Sequence, residues 1–412
     1  MKKNRIIATL AVVLSVTPLT LKIANAATNT NKLLVWEDIK KSSGITDAIH
    51  DFEKKYSIKV NIIELPFSQQ IEKLRLDGPA GIGPDVLVIP NDQLGGAVVQ
   101  GLITPLKVNH NYIDKYTKSA VTALNYKDKQ YGIPKAVESI VMIYNKKLVK
   151  TPPKDFDTIF SISEKFHKEG KYGLLAKFDE VYYTYGVMSA MGGYIFGHNK
   201  DGSFNFDDIG FNNKGSIEAA AYIKKFYSTG LFPTGILGST GLNAIDSMFT
   251  EGKAAIVFNG PWAFKPYENA GVDYGVAPLP ILPNGKHMRS LLGVKGYVVS
   301  SYSKQQDLAL KFIKFINQPK YEKIRFAKTG EIPALKSLVN DPEFNKNAGA
   351  VAVAEQAKYA TAMPNNPEFN TIWTPVNNAL QLIATNKSQI KPALDNAVNN
   401  IKMQIQMTQA EQ

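Results

Sequence analysis

The stretch KLLVWEDIKKSSGITDAIHDFEKKYSIKVNIIELPFSQQIEKLRLDGPAGIGPDVLVIP, residues 32–90, decides the fold. It holds three apolar runs, KLLVWE (32–37), IKVNIIEL (58–65) and PDVLVIP (84–90), the last opened by Gly83-Pro84. After the first run, Ile45, Ile49 and Phe52 recur at i, i+4 and i+7, the stripe of an amphipathic helix. Ile71 and Leu74 mark a second helix before the third run. Strand, helix, strand, helix, strand with short connections predicts parallel pairing with right-handed crossovers, hence an α/β fold.

Further along, KDKQYGIPKAVESIVMIYN (127–145) breaks this rhythm with a turn at Lys127-Asp128, a short strand and a longer apolar one. Helix signals follow at 156–170, 216–230 and 242–252, with AAIVFN and DYGVAPLP as further strands after them. LLGVKGYVVS (291–300) returns to strand, QDLALKFIKFIN to helix, and the last 70 residues read as helical throughout. No internal repeat or low-complexity tract appears. A chain of 412 residues exceeds one ordinary core, so two domains are expected.

The first 26 residues are a separate object. A basic start, Met1-Lys-Lys-Asn-Arg5, an apolar run IIATLAVVLSVTPLTL and Ala24-Asn25-Ala26 form the pattern of a cleaved export signal. No other segment approaches 18 consecutive apolar residues, so the mature protein is expected to be soluble, periplasmic, or at the cell surface where there is no outer membrane. Loss of Lys2, Lys3, Arg5 and Lys22 takes four charges from the formal +12 and leaves +8. The remaining lysines are interleaved with acids, a solvated surface and not a nucleic-acid stripe. Cysteine is absent, which excludes disulfides and a thioether-linked lipid anchor.

Catalytic signatures are missing. The five histidines never approach i, i+4 zinc spacing, so neither metal nor cofactor is expected. No G-x-S-x-G elbow occurs, and each Gly-Lys pair lacks the Ser or Thr of a phosphate loop. Ser301-Tyr-Ser-Lys304 and Lys328-Thr-Gly330 echo β-lactamase motifs but lie too close together to build that fold.

Ligands of α/β sheets sit beyond the carboxyl ends of strands. Trp36-Glu37-Asp38, Asn91-Asp92-Gln93 and Trp262 fall there, and Pro261 in FNGPWAF (258–264) stops the strand just before the ring. Trp373 precedes Pro375. Such rings are either half-buried supports at element ends or platforms for a ligand with an apolar face and a polar edge, as a sugar has. Glu138 interrupts the apolar run AVESIVMIY, and Tyr182, Tyr183 and Tyr185 surround Glu180. Carboxylates are strong acceptors for hydroxyls, so the set describes a polyol pocket; taken singly, each acid is equally a cap or a surface charge.

These residues carry a resemblance. KLLVW, GPDVLVIPNDQLGG, YGIPKAVESIVMIYNKKLV, MGGYIF, FNGPWAF and NPEFNTIWTPVNNA make the mature chain similar to the solute-binding proteins of ATP-driven carbohydrate importers, the maltose and maltodextrin branch above all. The resemblance implies a type II, two-lobe periplasmic-binding-protein-like α/β fold with three hinge crossings and a sugar held between the lobes. It implies an N-terminal lobe of residues 27–137 and 293–330 and a C-terminal lobe of residues 138–292 and 331–412. Matched position by position, it makes Trp262 and Trp373 stacking rings, Tyr182 a platform, Glu138, Asp92 and Glu180 hydroxyl acceptors, and Asp38 with Lys40 the family's Asp-Lys pair. Gln93 stands where the family has arginine, Ile89 where it has tryptophan, and no tyrosine occurs near position 240. The implied partners are a malto-oligosaccharide and a membrane permease, with no nucleic acid, and the implied state is a monomer. A glycoside hydrolase acting on α-glucans, or a chemoreceptor ligand-sensor, would use the same residue types.

Overall fold

The structure, a computed structural model, describes residues 32–410. The expected export signal lies outside the described residues. Strand β1 (Lys32–Glu37), the helix Thr46–Tyr56, β2 (Lys59–Glu64), the helix Phe67–Asp77 and β3 (Val86–Pro90) follow the order expected from the opening stretch. β1 pairs in parallel with both β2 and β3, placing it between them. All five residues of β3 are buried, as a central parallel strand requires.

A hairpin of β4 (Asn125–Tyr126) and β5 (Lys129–Gln130) follows, its turn made by Lys127 and Asp128 at φ 46° and 61°. Left-handed backbone at both turn residues is what a two-residue hairpin loop needs. β6 (Gly132–Glu138) still belongs to the first sheet, whereas β7 (Val141–Asn145) belongs to a second. The second sheet is completed by β8 (Tyr172–Leu175), β11 (Ala254–Asn259) and β12 (Tyr274–Ala277), in the order β12-β7-β11-β8. A side ribbon pairs β9 (Phe196–His198) with β10 (Phe204–Ile209). The chain then returns along β13 (Ser290–Val299), which runs antiparallel to β3 on one side and to β6 on the other.

One expectation needs correcting. The last 70 residues are not helical throughout: β14 (Ala360–Ala362) pairs in parallel with β13 at residues 290–292. Three small residues next to Pro364 carry no alternation to read; the free edge of β13 makes the strand.

Two hydrophobic cores result, one under each sheet. Ile133 and Val294 lie in the first core, Ile140 and Leu291 in the second, so the chain passes between them beside Ser139 and again at Leu292-Gly293. Ser139 Oγ and Ser290 Oγ lie 2.8 Å apart and tie these two passages together. A third lies near Ile332, whose carbonyl accepts from Val137 N–H at 2.8 Å. Ile332 packs in the second core, whereas Ala334, Leu335 and Leu338 pack in the first.

A buried ionic cluster backs these passages. Lys135 on β6 is fully buried, 3.3 Å from Glu37 and in contact with Glu331. Tyr297 O–H donates to Glu37 at 2.7 Å, and Arg325 donates to the Lys135 carbonyl at 3.2 Å. Burial works against the charge on Glu331, but Lys135, Lys41 and Lys295 hold its carboxyl below the usual range. Charges so buried persist only when paired.

Candidate functional site

The carboxyl ends of β1, β3 and β6 bring Asp38, Asp92 and Glu138 to one edge of the first sheet. Lys295 of β13 joins two of them: its ammonium lies 3.1 Å from Asp38 and 3.1 Å from Glu138, and 4.4 Å from the centroid of the Phe67 ring. Burial alone would lower this ammonium, yet Glu138 and then Asp38 hold it above its ordinary value. Asp38 also accepts the N–H groups of Ile39 at 2.9 Å and Phe67 at 3.2 Å, so both its oxygens are engaged.

Asp92 sits in the short 3-10 turn that ends β3. Asn91 sets that turn: its amide donates to the Met363 carbonyl at 2.8 Å and accepts from Val294 N–H at 2.9 Å. Unlike Glu138, Asp92 has no cation within salt-bridge distance among the described residues. Burial pushes its carboxyl up to about 6, against backbone N–H groups and the Trp373 side chain, which favour the charged form. The Asn370 amide donates to the Asp92 carbonyl at 2.8 Å, tying the segment before Trp373 to the same turn.

The opposing face comes from the second core. Tyr182, on the helix Val181–Ala190, has its hydroxyl raised well above the ordinary value, by burial first and then by the charges of Glu138 and Asp92. Both carboxylates therefore lie near enough to this hydroxyl for their charge to reach it. The Tyr182 ring lies 6.2 Å from the Trp262 ring, centroid to centroid, at 48°. Trp373 meets Phe369 edge-on at 5.3 Å and carries its other side toward Asp92. Tyr182, Trp262 and Trp373 are all half-buried.

Trp262 is held by its own turn. Asn259, fully buried at the end of β11, accepts from Gly260 N–H at 2.9 Å and donates to Asp246 at 2.8 Å and to the Tyr267 hydroxyl at 3.0 Å. Burial pushes the Asp246 carboxyl up to about 6. The ring lies flat against Gly260, where an added Cβ would stand 2.2 Å from two ring carbons. Gly260 is extended, φ −109° and ψ −177°, so glycine is required here for close approach and not for backbone freedom.

Asp38, Asp92, Glu138, Tyr182, Trp262 and Trp373 thus form one neighbourhood. Glu180 stands at the first turn of the helix that carries Tyr182 without capping it, and its carboxylate is tied to the buried Lys177 at 3.3 Å. Gln93 is half-buried, its side-chain oxygen enclosed without a partner. Lys40 is exposed, in left-handed backbone at φ 60°, with its N–H on Glu64 at 3.0 Å. The cation beside Asp38 and Glu138 is Lys295, which sequence reasoning missed although it interrupts the apolar run LLGVKGYVV.

Trp36 does not join the group. It is 1 % exposed, in the first core, with Lys73 5.7 Å from its ring centroid. Strand alternation turns Trp36 toward the face covered by the helix Phe67–Asp77, so its place at a strand end did not put it in the gap. Aromatic faces on one side and carboxylate acceptors on the other suit a hydroxyl-rich ring. Among the described residues no group of three or more acidic or histidine side chains has metal-binding geometry.

Comparison with known proteins bears on this arrangement. Residues 47–353 match the family model described as bacterial extracellular solute-binding protein. The galactooligosaccharide-binding protein of Bacillus subtilis (strain 168) is 48 % identical over 384 residues, covering 93 % of this chain and 91 % of that protein. The maltodextrin-binding protein MdxE of the same strain is 36 % identical over 361 residues, covering 86 % and 85 %. The crystal structure of MalX from Streptococcus pneumoniae in complex with maltopentaose aligns with a TM-score of 0.84 at 32 % identity, over 90 % of this chain and all of that one.

Proposed function

The chain belongs to the bacterial extracellular solute-binding protein family, and from that premise we propose that it is an exported receptor that captures an oligosaccharide between its lobes and delivers it to an ATP-driven import permease. What supports the reading is that the charges of Asp92 and Glu138, at strand ends of the first sheet, reach the hydroxyl of Tyr182, whose ring neighbours Trp262 on the second core. In this reading the lobes are those implied by the sequence, with Ala334, Leu335 and Leu338 packing on the first. Asp38, Gln93, Glu180 and Lys40 form the outer part of the site.

The mechanism is hinge closure. A sugar whose hydroxyls meet the carboxylates while its ring faces meet Tyr182, Trp262 and Trp373 touches both lobes at once. It therefore favours the closed state by its extra affinity for that state. No bond is made or broken, and the protein works as a monomer outside the cytoplasmic membrane.

The sugar we favour is a galactooligosaccharide, because the relative of that name is 48 % identical and because Gln93 departs from the arginine of the maltodextrin pattern. A maltodextrin is the second reading, favoured by the match of Trp262, Tyr182 and Trp373 to that pattern and by the likeness to a maltopentaose-bound structure. Calorimetry with galactooligosaccharides, maltose, maltotriose and cyclodextrin separates the two. A flat titration with all of them overturns the proposal, and release of reducing ends during incubation turns it toward a hydrolase.

A further inference from the structure

We propose that the first lobe carries a second, separate site, for a phosphate-type oxyanion, in the cavity where the helix Gln306–Ile316 passes into the helix Pro319–Thr329. The cavity measures about 380 Å³ and its wall includes Lys115, Lys314, Lys336, Asn317, Tyr112 and Tyr116. No carboxylate lines it. It adjoins a shallower hollow of about 320 Å³ that shares Lys314 and Gln318 and adds Lys311 together with the carboxylate of Asp307.

One buried side chain of this wall lacks a hydrogen-bond partner among the described residues. Asn317 is 3 % exposed, and neither its amide nitrogen nor its oxygen has a hydrogen-bond partner. Beyond it, Glu322 lies 3.6 Å from one Arg325 nitrogen in an ion pair, while the other Arg325 terminal nitrogen has no partner among the described residues. Native interiors satisfy most buried polar groups, so Asn317 is the open donor and acceptor of this wall.

The charge of that ligand follows from the rim. Among the described residues, Lys115, Lys311, Lys314 and Lys336 have no carboxylate within ion-pair distance. Lys336 donates to the carbonyl of Asp114 at 2.7 Å, while Lys115 and Lys314 lie 5.4 and 5.2 Å from the centroid of the Tyr112 ring. Gln318 and Pro319 start the eleven-residue helix Pro319–Thr329, whose positive dipole end meets there the negative end of the helix Gln306–Ile316, so the lysines set the sign of the site. The acid behind the wall, Glu322, is pushed up to about 8 by burial against the pull of Arg325, and so opposes an anion little at neutral pH. Lysine ammoniums, an amide donor and one free proton of the Tyr112–Tyr116 hydroxyl pair, whose oxygens lie 3.4 Å apart, suit an oxyanion with several acceptor oxygens, either free or as a lipid headgroup.

The test uses the mature protein with inorganic phosphate against sodium chloride of equal ionic strength, read by calorimetry and thermal midpoint. A saturable phosphate response is expected, about tenfold weaker in the Lys314→Ala/Lys336→Ala variant and weakened in Asn317→Leu. Oligosaccharide affinity stays unchanged in both, which separates this site from the cleft. Phosphatidylcholine vesicles with and without phosphatidylglycerol distinguish the sources: variant-sensitive cosedimentation with the anionic vesicles assigns a headgroup, its absence a free anion. A response equal to that of chloride, or one untouched by the variants, overturns the proposal.

Discussion

Gly260→Ala is the sharpest probe of the sugar-stacking role proposed for Trp262. The new Cβ would stand 2.2 Å from two ring carbons, where ordinary carbon contacts lie at about 3.5–4.0 Å. The ring must therefore move by about 1.5 Å or more. The backbone at φ −109° and ψ −177° accepts alanine without strain, so the fold should persist. An aromatic contact is worth about 0.5–1.5 kcal/mol beyond the area it buries, so its loss weakens binding by roughly 2- to 12-fold. Calorimetry with the cognate oligosaccharide reads the affinity, a thermal melt reads the fold, and tryptophan emission reports the ring. Adding Trp262→Ala to this variant should bring little further loss, since both changes remove one contact. Affinity within twofold of the parent, with emission showing a displaced ring, would refute the stacking role.

Other expectations follow from charge. Asp92, at about 6, loses its acceptor charge as the pH falls from 7 to 5, so sugar affinity should decline over that window. A folded pKa above the unfolded 3.8 means that burial penalises stability above pH 6 and is relieved on acidification, so through this group the unliganded protein gains stability as affinity drops; calorimetry and melts at three pH values check both signs. Lys295→Met leaves Asp38 and Glu138 without their shared cation and should cost about 3–5 kcal/mol in denaturant unfolding; a loss below about 1 kcal/mol contradicts the pairing. Gln93→Arg should lower Asp92, shift the acid limb of the affinity profile to lower pH and tighten maltose-type ligands; weaker binding of every oligosaccharide would show a different sugar pose.

The parallel β1, β2 and β3 were legible because buried strands and amphipathic helices write their periods directly into the sequence. Trp262 was legible as an outlier, since Asn-Gly-Pro fixes a turn at a strand end. Trp36 misled for the same reason: sequence shows that a ring ends a strand but not which face the pleat gives it. Lys295 is visible as a charge in an apolar run, but its partners are 257 and 157 positions away, and only strand order brings them together. The Asp246, Asn259 and Tyr267 group that holds the Trp262 turn joins a helix, a strand end and a second helix, with no shared motif to read.

The two halves of the site differ in how they are held, and the difference bears on closure. On the first lobe, Lys295 fixes Asp38 and Glu138 through strands of a single sheet, so these acceptors are set before any sugar arrives. On the second, the Trp262 ring is set against Gly260 by a turn that Asn259 and Asp246 lock from behind. Neither half needs the other to take its shape. A ligand that satisfies one half alone gains the same contacts whether the lobes are open or closed, and equal affinity for two states shifts no population. In the proposed mechanism closure is therefore driven by a molecule that offers ring faces and hydroxyl edges together. Small aromatic glycosides should occupy the Trp262 side without closing the hinge, whereas an oligosaccharide that also reaches the carboxylates closes it.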